Sequence, residues 1–172
     1  MIAALFLMAI LLPKTTMAIP VDMELVGAGK AKYLGFVTVY DAALYVRSKE
    51  GMEEILSPAT SRCLKLDYEI EVSAEDFIRA ADTILRRQHD EDKLSRVEAE
   101  INKLHRSYSN VGKGDNYTLC YDSTLKETIL SRNGLPQVEI VSEEFAEVYF
   151  GIWLGPKDPL SDGLRNRLLG QN

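Results

Sequence analysis

The stretch Tyr33 to Val46, YLGFVTVYDAALYV, is the feature that most limits what this chain can fold into. Read as a strand, it carries Leu34, Phe36, Thr38, Tyr40, Ala42, Leu44 and Val46 on one face and Tyr33, Gly35, Val37, Val39, Asp41, Ala43 and Tyr45 on the other. Both sets are mostly apolar, which is the pattern of a central strand covered on both sides. Asp41 is the exception, because a carboxylate in an apolar run needs a partner, a turn or a chemical role. The plain reading is a strand end or bulge where Asp41 meets water or caps backbone amides. The alternative is a polar cluster at the mouth of a ligand cleft.

The flanking segments supply the partners. Val21 to Gly29 reads as a first short strand, with Lys30-Ala31-Lys32 as the turn into the central run. Ser48 to Leu56 reads as a short helix, and Arg62 to Val72 alternates as a half-buried strand. Ser73 and Asp76 form a capping-box-like start for a helix whose apolar face is Phe77, Ala80, Ala81, Ile84 and Leu85. After the polar break Gln88-His89-Asp90, the stripe Leu94, Val97, Ile101, Leu104, Tyr108 predicts one helix from Glu91 to Ser107, with His89 and His105 solvated. Two meander strands follow, Asn116 to Asp122 and Thr124 to Ser131. Asn133-Gly134 is a hairpin turn, and Val138 to Val141 returns. Ser142 opens a third helix with Phe145, Val148, Ile152 and Trp153 inward, and Gly155-Pro156 ends it. A last short helix starts at Asp158-Pro159. Strands, a helical pair, more strands and two helices describe an α+β domain, with helices segregated against a largely antiparallel sheet.

Ile2 to Leu12 is an apolar run of signal-peptide length, too short to span a bilayer, and Thr16-Met17-Ala18 offers small residues for cleavage after Ala18. The expectation is a leader over residues 1–18 and a single domain over residues 19–172, periplasmic or secreted; an uncleaved anchor is the alternative. The formal charge of −6 argues against nucleic acid and anionic membrane surfaces as partners. Cys63 and Cys120 both fall in strand-like runs on the wetter faces. They can bond if the strands are neighbours, but two unpaired thiols are the expectation adopted. The chain has no CxxC and no Cys/His cluster at ligand spacing, so neither a metal site nor a cofactor is expected.

Three local motifs, in this order and spacing, carry a resemblance: Gly27-Ala28-Gly29, Val39-Tyr40-Asp41-Ala42-Ala43-Leu44-Tyr45, and Gly151-Ile152-Trp153-Leu154-Gly155. Together they resemble the chalcone isomerase-like family, in particular its exported bacterial branch, over about Glu24 to Leu169. The resemblance implies an open-faced β-sandwich: a long, curved antiparallel sheet with a helical layer and a ligand cleft between them. The family's enzymes cyclise an enone using an Arg, a strand Thr, a Tyr and an Asn on the helix after the alternating strand, and a Thr on the late helix. The aligned positions here are Lys30 to Lys32, Tyr40, Phe77, Ile84 and, near the last, Ile152, so most donors to a developing enolate are replaced by apolar groups.

The function expected is therefore non-catalytic binding of a small amphipathic ligand such as a fatty acid. In that reading Lys32 and Tyr40 hold its polar end, and Phe36, Phe77, Ile84, Val148 and Ile152 line the apolar part. Two alternatives stand beside it. One is an intramolecular lyase or isomerase with altered substrate, using Lys32 with Tyr40 or Tyr45. The other is an envelope structural or interaction protein without a small ligand, anchored through an exposed Trp153.

Overall fold

The computed structural model describes residues 19–48 and 54–171. The expected leader and most of the expected Ser48 to Leu56 helix lie outside the described residues. Six strands, β1 (Glu24–Tyr33), β2 (Val37–Val46), β3 (Arg62–Tyr68), β4 (Asn116–Asp122), β5 (Glu127–Arg132) and β6 (Leu135–Val141), form one antiparallel sheet in sequence order. Helices α1 (Ala74–Gln88), α2 (Glu91–Arg96) and α3 (Glu98–His105) fill the β3–β4 connection; α4 (Glu143–Leu154) and α5 (Asp162–Leu168) follow β6. This is the α+β open sheet with segregated helices expected from the pattern.

Four cross-strand rows define the inner face. They include Leu44, Leu64, Leu119, Leu130 and Val138 in one row, and Val46, Arg62, Tyr121, Thr128 and Ile140 in the next. The outer face carries Asp41, Lys65, Asp67 and Thr118 in the intervening positions. Helix α4 lies against the inner face and is apolar on nearly every side: Phe145, Ala146 and all residues from Val148 to Leu154 are buried. An all-round apolar helix is stable only inside a core.

The opening stretch behaves differently from its expectation. Tyr33 ends β1, Leu34-Gly35-Phe36 form the turn, and β2 starts at Val37. Lys30, Ala31 and Lys32 are therefore strand residues, not the turn. Leu34 and Gly35 take positive φ of 52° and 80°, and it is Gly35 that makes the reversal possible here. Strand β2 then alternates, with Tyr40, Ala42, Leu44 and Val46 buried and the other set half-buried, so it is covered fully on one face only. Asp41 neither ends the strand nor faces the cleft. It sits mid-strand on the outer face, opposite Lys30, with its Oδ1 2.6 Å from Lys30 Nζ.

Glycines in β1 let α5 close the sheet's inner face at this edge. A Cβ on Gly27 would overlap the Arg167 carbonyl oxygen, and one on Gly29 would lie 2.8 Å from Arg167 Nε and 3.0 Å from Leu164. The Gly27-Ala28-Gly29 motif is thus a landing strip for the backbone of a helix, set by close approach rather than by turn formation.

Three other expectations are corrected. Cys63 and Cys120 are directly opposed on β3 and β4, with Cα atoms 4.0 Å apart, and form a disulfide rather than two free thiols. The helix expected from Glu91 to Ser107 is two, broken at Val97, whose ψ of 10° leaves the helical range and whose side chain is buried. His105 is buried rather than solvated, with Nδ1 3.9 Å from Asp82. Burial pulls its imidazole, and that of half-buried His89, below the ordinary histidine range.

At one end of the inner face Arg62 is fully buried, its guanidinium 4.8 Å from the ring centre of Tyr121 and 4.7 Å from that of Phe150. Nη1 donates to the Ser57 and Thr60 carbonyls. Two ring faces and two carbonyls hold the charge in place, and desolvation still lowers its pKa to about 10.

Candidate functional site

Between the inner face and helices α1 and α4 lies a cavity of about 570 Å³, within the range of small-molecule sites. It starts at the β1–β2 hairpin, where Lys32, Tyr33 and Val39 line it, and reaches Leu119, Leu130 and Tyr149 beneath the sheet centre. Its wall on the helical side comes from Phe77, Ala81 and Ile84 of α1 and Ile152 and Trp153 of α4. The start of α1 is fixed beside the cavity, which Val72 and Asp76 also line. The Ser73 hydroxyl accepts from the Asp76 amide and the Asn110 side chain accepts from the Ala74 amide, while Val72 pairs with Val111.

Tyr40 and Trp153 meet inside this space. Trp153 Nε1 donates to the Tyr40 hydroxyl at 2.9 Å, leaving the phenolic proton free for another acceptor. Burial pushes the Tyr40 phenol far up, so it is neutral and a donor at any ordinary pH. Tyr68 stands edge-on to Tyr40, with centroids 5.4 Å apart, and is raised by the same desolvation. Deeper, the hydroxyls of Tyr108 and Tyr149 are 2.8 Å apart, and both phenols are raised by burial. Phe77 stacks on Tyr108 and meets Tyr68 and Tyr117 edge-on. The interior is thus an aromatic and aliphatic box whose polar atoms are neutral hydroxyls. The charged lining groups, Lys32, Glu71, Asp76 and Arg79, come from exposed positions. Of the cations, Arg79 is already paired with Glu75 and Asp76.

Lys32 lines the cavity beside a register shift. Ala31 opposes Tyr40 and Lys32 opposes Thr38, so the pairing slips between them. The extra residue lies on β2, where the successive residues Val39 and Tyr40 both line the cavity. Tyr40, Phe77, Ile84 and Ile152 all line the same cavity. Phe36 does not: it is 74% exposed at the hairpin tip, because the turn takes the position that strand alternation would have assigned to it. Val148 is fully buried core away from the lining, and Trp153 is buried, as its inward place on the third helix predicts, so the structural alternative has no exposed Trp153 to anchor it. Tyr45 faces outward beside Cys63. Sequence reasoning missed Tyr68, Tyr108 and Tyr149. Tyr68 closes the clean alternation of β3, which was the available signal.

The sequence profile described as chalcone isomerase-like matches residues 7–170. The chain belongs to the chalcone isomerase-like family. No curated protein matches it. Among solved structures, that of an Arabidopsis thaliana fatty-acid binding protein is similar, with a TM-score of 0.67 at 14% identity, over 92% of this chain and 94% of that one. At that identity the likeness shows a shared fold. As a chalcone isomerase-like protein, the chain places its three motifs at one locus. Gly27-Ala28-Gly29 seats α5, Tyr40 faces the cavity from the sheet, and Trp153 meets it from the helix.

Proposed function

We propose that this chalcone isomerase-like protein binds a small amphipathic ligand, such as a fatty acid, between sheet and helices without transforming it. The observation that carries the reading is the cavity itself: about 570 Å³, walled by apolar and aromatic side chains, with Lys32 at its mouth. Lys32 and Tyr40 take the polar end of the ligand; Phe77, Ile84 and Ile152 line its apolar part. The fatty-acid binding function named for the Arabidopsis structure supports a ligand of this class. Native mass spectrometry of gently purified protein, followed by displacement of a fluorescent fatty acid, tests it. A co-purifying lipid and saturable displacement are expected; a bare protein with no saturable binding overturns the reading.

Export is part of the same proposal. A leader over residues 1–18, cleaved after Ala18, delivers the domain to the periplasm or the exterior, as in the exported bacterial branch of the family. The Cys63–Cys120 disulfide supports an oxidising compartment. N-terminal sequencing of the protein recovered from its native host tests the cleavage.

One observation favours a second reading as an intramolecular lyase. A neutral, proton-bearing Tyr40 phenol in an apolar cavity is the kind of group that stabilises an enolate oxygen. Phe77 and Ile84 offer such an oxygen nothing. Turnover of an enone panel above background, lost in Tyr40→Phe, would establish this reading; equal rates for both proteins would end it.

A further inference from the structure

We infer that the tip of the β1–β2 hairpin is a contact site for a lipid surface, through which the cavity exchanges its ligand. The inference rests on the ligand-binding reading of the cavity but concerns a different set of residues.

Tyr33, Leu34 and Phe36 are 63%, 69% and 74% exposed. These large apolar side chains crowd one turn, whereas Leu25 at the far end of β1, Leu125 in the β4–β5 turn, and Leu135 and Val141 at the two ends of β6 are exposed apart from one another. Scattered exposed apolar residues are ordinary; a contiguous group marks a contact site. Here the group runs into the cavity, since Tyr33, Ile70 and Leu160 are exposed and also line it. An apolar path thus leads from the hairpin tip to the interior.

The turn chemistry points the same way. At the β5–β6 turn, Asn133 and Gly134 take φ of 50° and 76°; at the β1–β2 turn, Leu34 and Gly35 take 52° and 80°. The two turns ask for the same left-handed backbone. Asparagine tolerates it, while leucine there is disfavoured. Leu34, mostly exposed and at an unfavourable φ, is not placed there by the core.

A projecting hairpin inserts into a lipid interface without needing a complementary cleft. Tyr33, with an apolar ring and a polar tip, suits the headgroup level, and Lys32 beside it can reach a phosphate. The formal charge of −6 on the whole chain keeps such contact brief, as exchange requires. The same charge disfavours tip-to-tip pairing of two copies.

The test uses the full chain loaded with a fluorescent fatty acid and mixed in stopped flow with phosphatidylcholine vesicles, with and without phosphatidylglycerol. For wild type the transfer rate should rise in proportion to vesicle concentration. The Leu34→Asn/Phe36→Ser double variant, whose asparagine suits the turn, should transfer about tenfold more slowly and independently of vesicle concentration. Its affinity for the probe in solution should stay unchanged. Leu125→Ser, in the β4–β5 turn at the opposite end of the sheet, should behave as wild type. A wild-type rate independent of vesicles, or a tip variant that transfers normally, overturns the inference. If no protein loads, the binding reading fails separately, and vesicle flotation of the unloaded chain decides the docking. Wild type floating and the tip variant not floating sustains it; neither floating overturns it. Dimerisation lost in the tip variant, with no vesicle effect, overturns it in favour of a second copy.

Discussion

Trp153 Nε1 donates a 2.9 Å hydrogen bond to the Tyr40 hydroxyl, joining the last turn of α4 to the middle of β2 across the cavity. Both residues are nearly fully buried, so either truncation strands a polar partner in an apolar space. Tyr40→Phe leaves the indole N–H unpaired and is expected to cost about 1–3 kcal/mol. Trp153→Phe adds lost packing to the loss of the same bond. Because the two share one interaction, the double variant should cost clearly less than the sum of the singles. Urea denaturation of the four proteins measures this, and strict additivity would show the bond to be energetically idle.

Ile84 sits on the helical wall of the cavity and is 5% exposed. Ile84→Trp should occupy space meant for the ligand. Fluorescent fatty-acid binding should weaken at least tenfold while the far-ultraviolet circular dichroism stays native. Undiminished affinity would place the ligand elsewhere.

The disulfide closes a sequence separation of 57 residues, spanning the three helices between β3 and β4. Chain-entropy reasoning gives a stabilisation of about 4 kcal/mol for a loop of that size. Cys63→Ala/Cys120→Ala, or wild type in reducing agent, should therefore unfold at lower urea concentration. A midpoint shift of under about 1 kcal/mol equivalent would mean that the strands are held well enough without the bond.

Gly27→Ala places a methyl group where the Arg167 carbonyl already stands. Helix α5 must move off β1, and a loss of about 2 kcal/mol or more is expected. Ala28→Ser, one residue away on the outer face, should be nearly neutral. Equal effects would refute the close-approach explanation of the motif.

His105 and His89 should make the fold acid-sensitive. Both imidazoles are held below the ordinary value of 6.5, first by burial. Asp82 on α1 pulls His105 the other way, and Lys93 and Lys157 add to the depression at His89. A depressed folded pKa means that the unfolded chain takes up protons first as the pH falls. The stability is fully present above about pH 6.5 and is lost as the pH drops through the folded values. Urea midpoints at pH 7.5 and pH 5 should differ, and His105→Gln should flatten the difference. An unchanged slope in that variant would acquit His105.

Patterns that depend on nearest neighbours along the chain were legible. Ser73 and Ser142 cap their helices, Asn133-Gly134 turns its hairpin, and α1 begins and ends close to where its caps and polar break place it. The apolar run around Tyr40 was legible as sheet but not as two strands. Leu34-Gly35-Phe36 reads equally well as strand or turn until a partner strand fixes the register. Val97 belongs to the apolar stripe, so the helix break there is invisible to periodicity.

Of the candidate site, the sequence by itself determined the chemistry of the members: a phenol at Tyr40, a cation at Lys32, apolar groups at Phe77, Ile84 and Ile152. It also determined the antiparallel, helix-covered class of the domain, because alternation, caps and turn residues act over a few bonds. Only the tertiary structure decided which of these residues meet. The extra β2 residue opposite Ala31 and Lys32 brings Val39 inward beside Tyr40, while the turn sends Phe36 into solvent. The bond from Trp153 settles how Tyr40 is held, and the pairing of β3 with β4 settles the fate of the cysteines. Register, bulges and contacts between layers are long-range, and a single residue of slip exchanges the two faces of a strand.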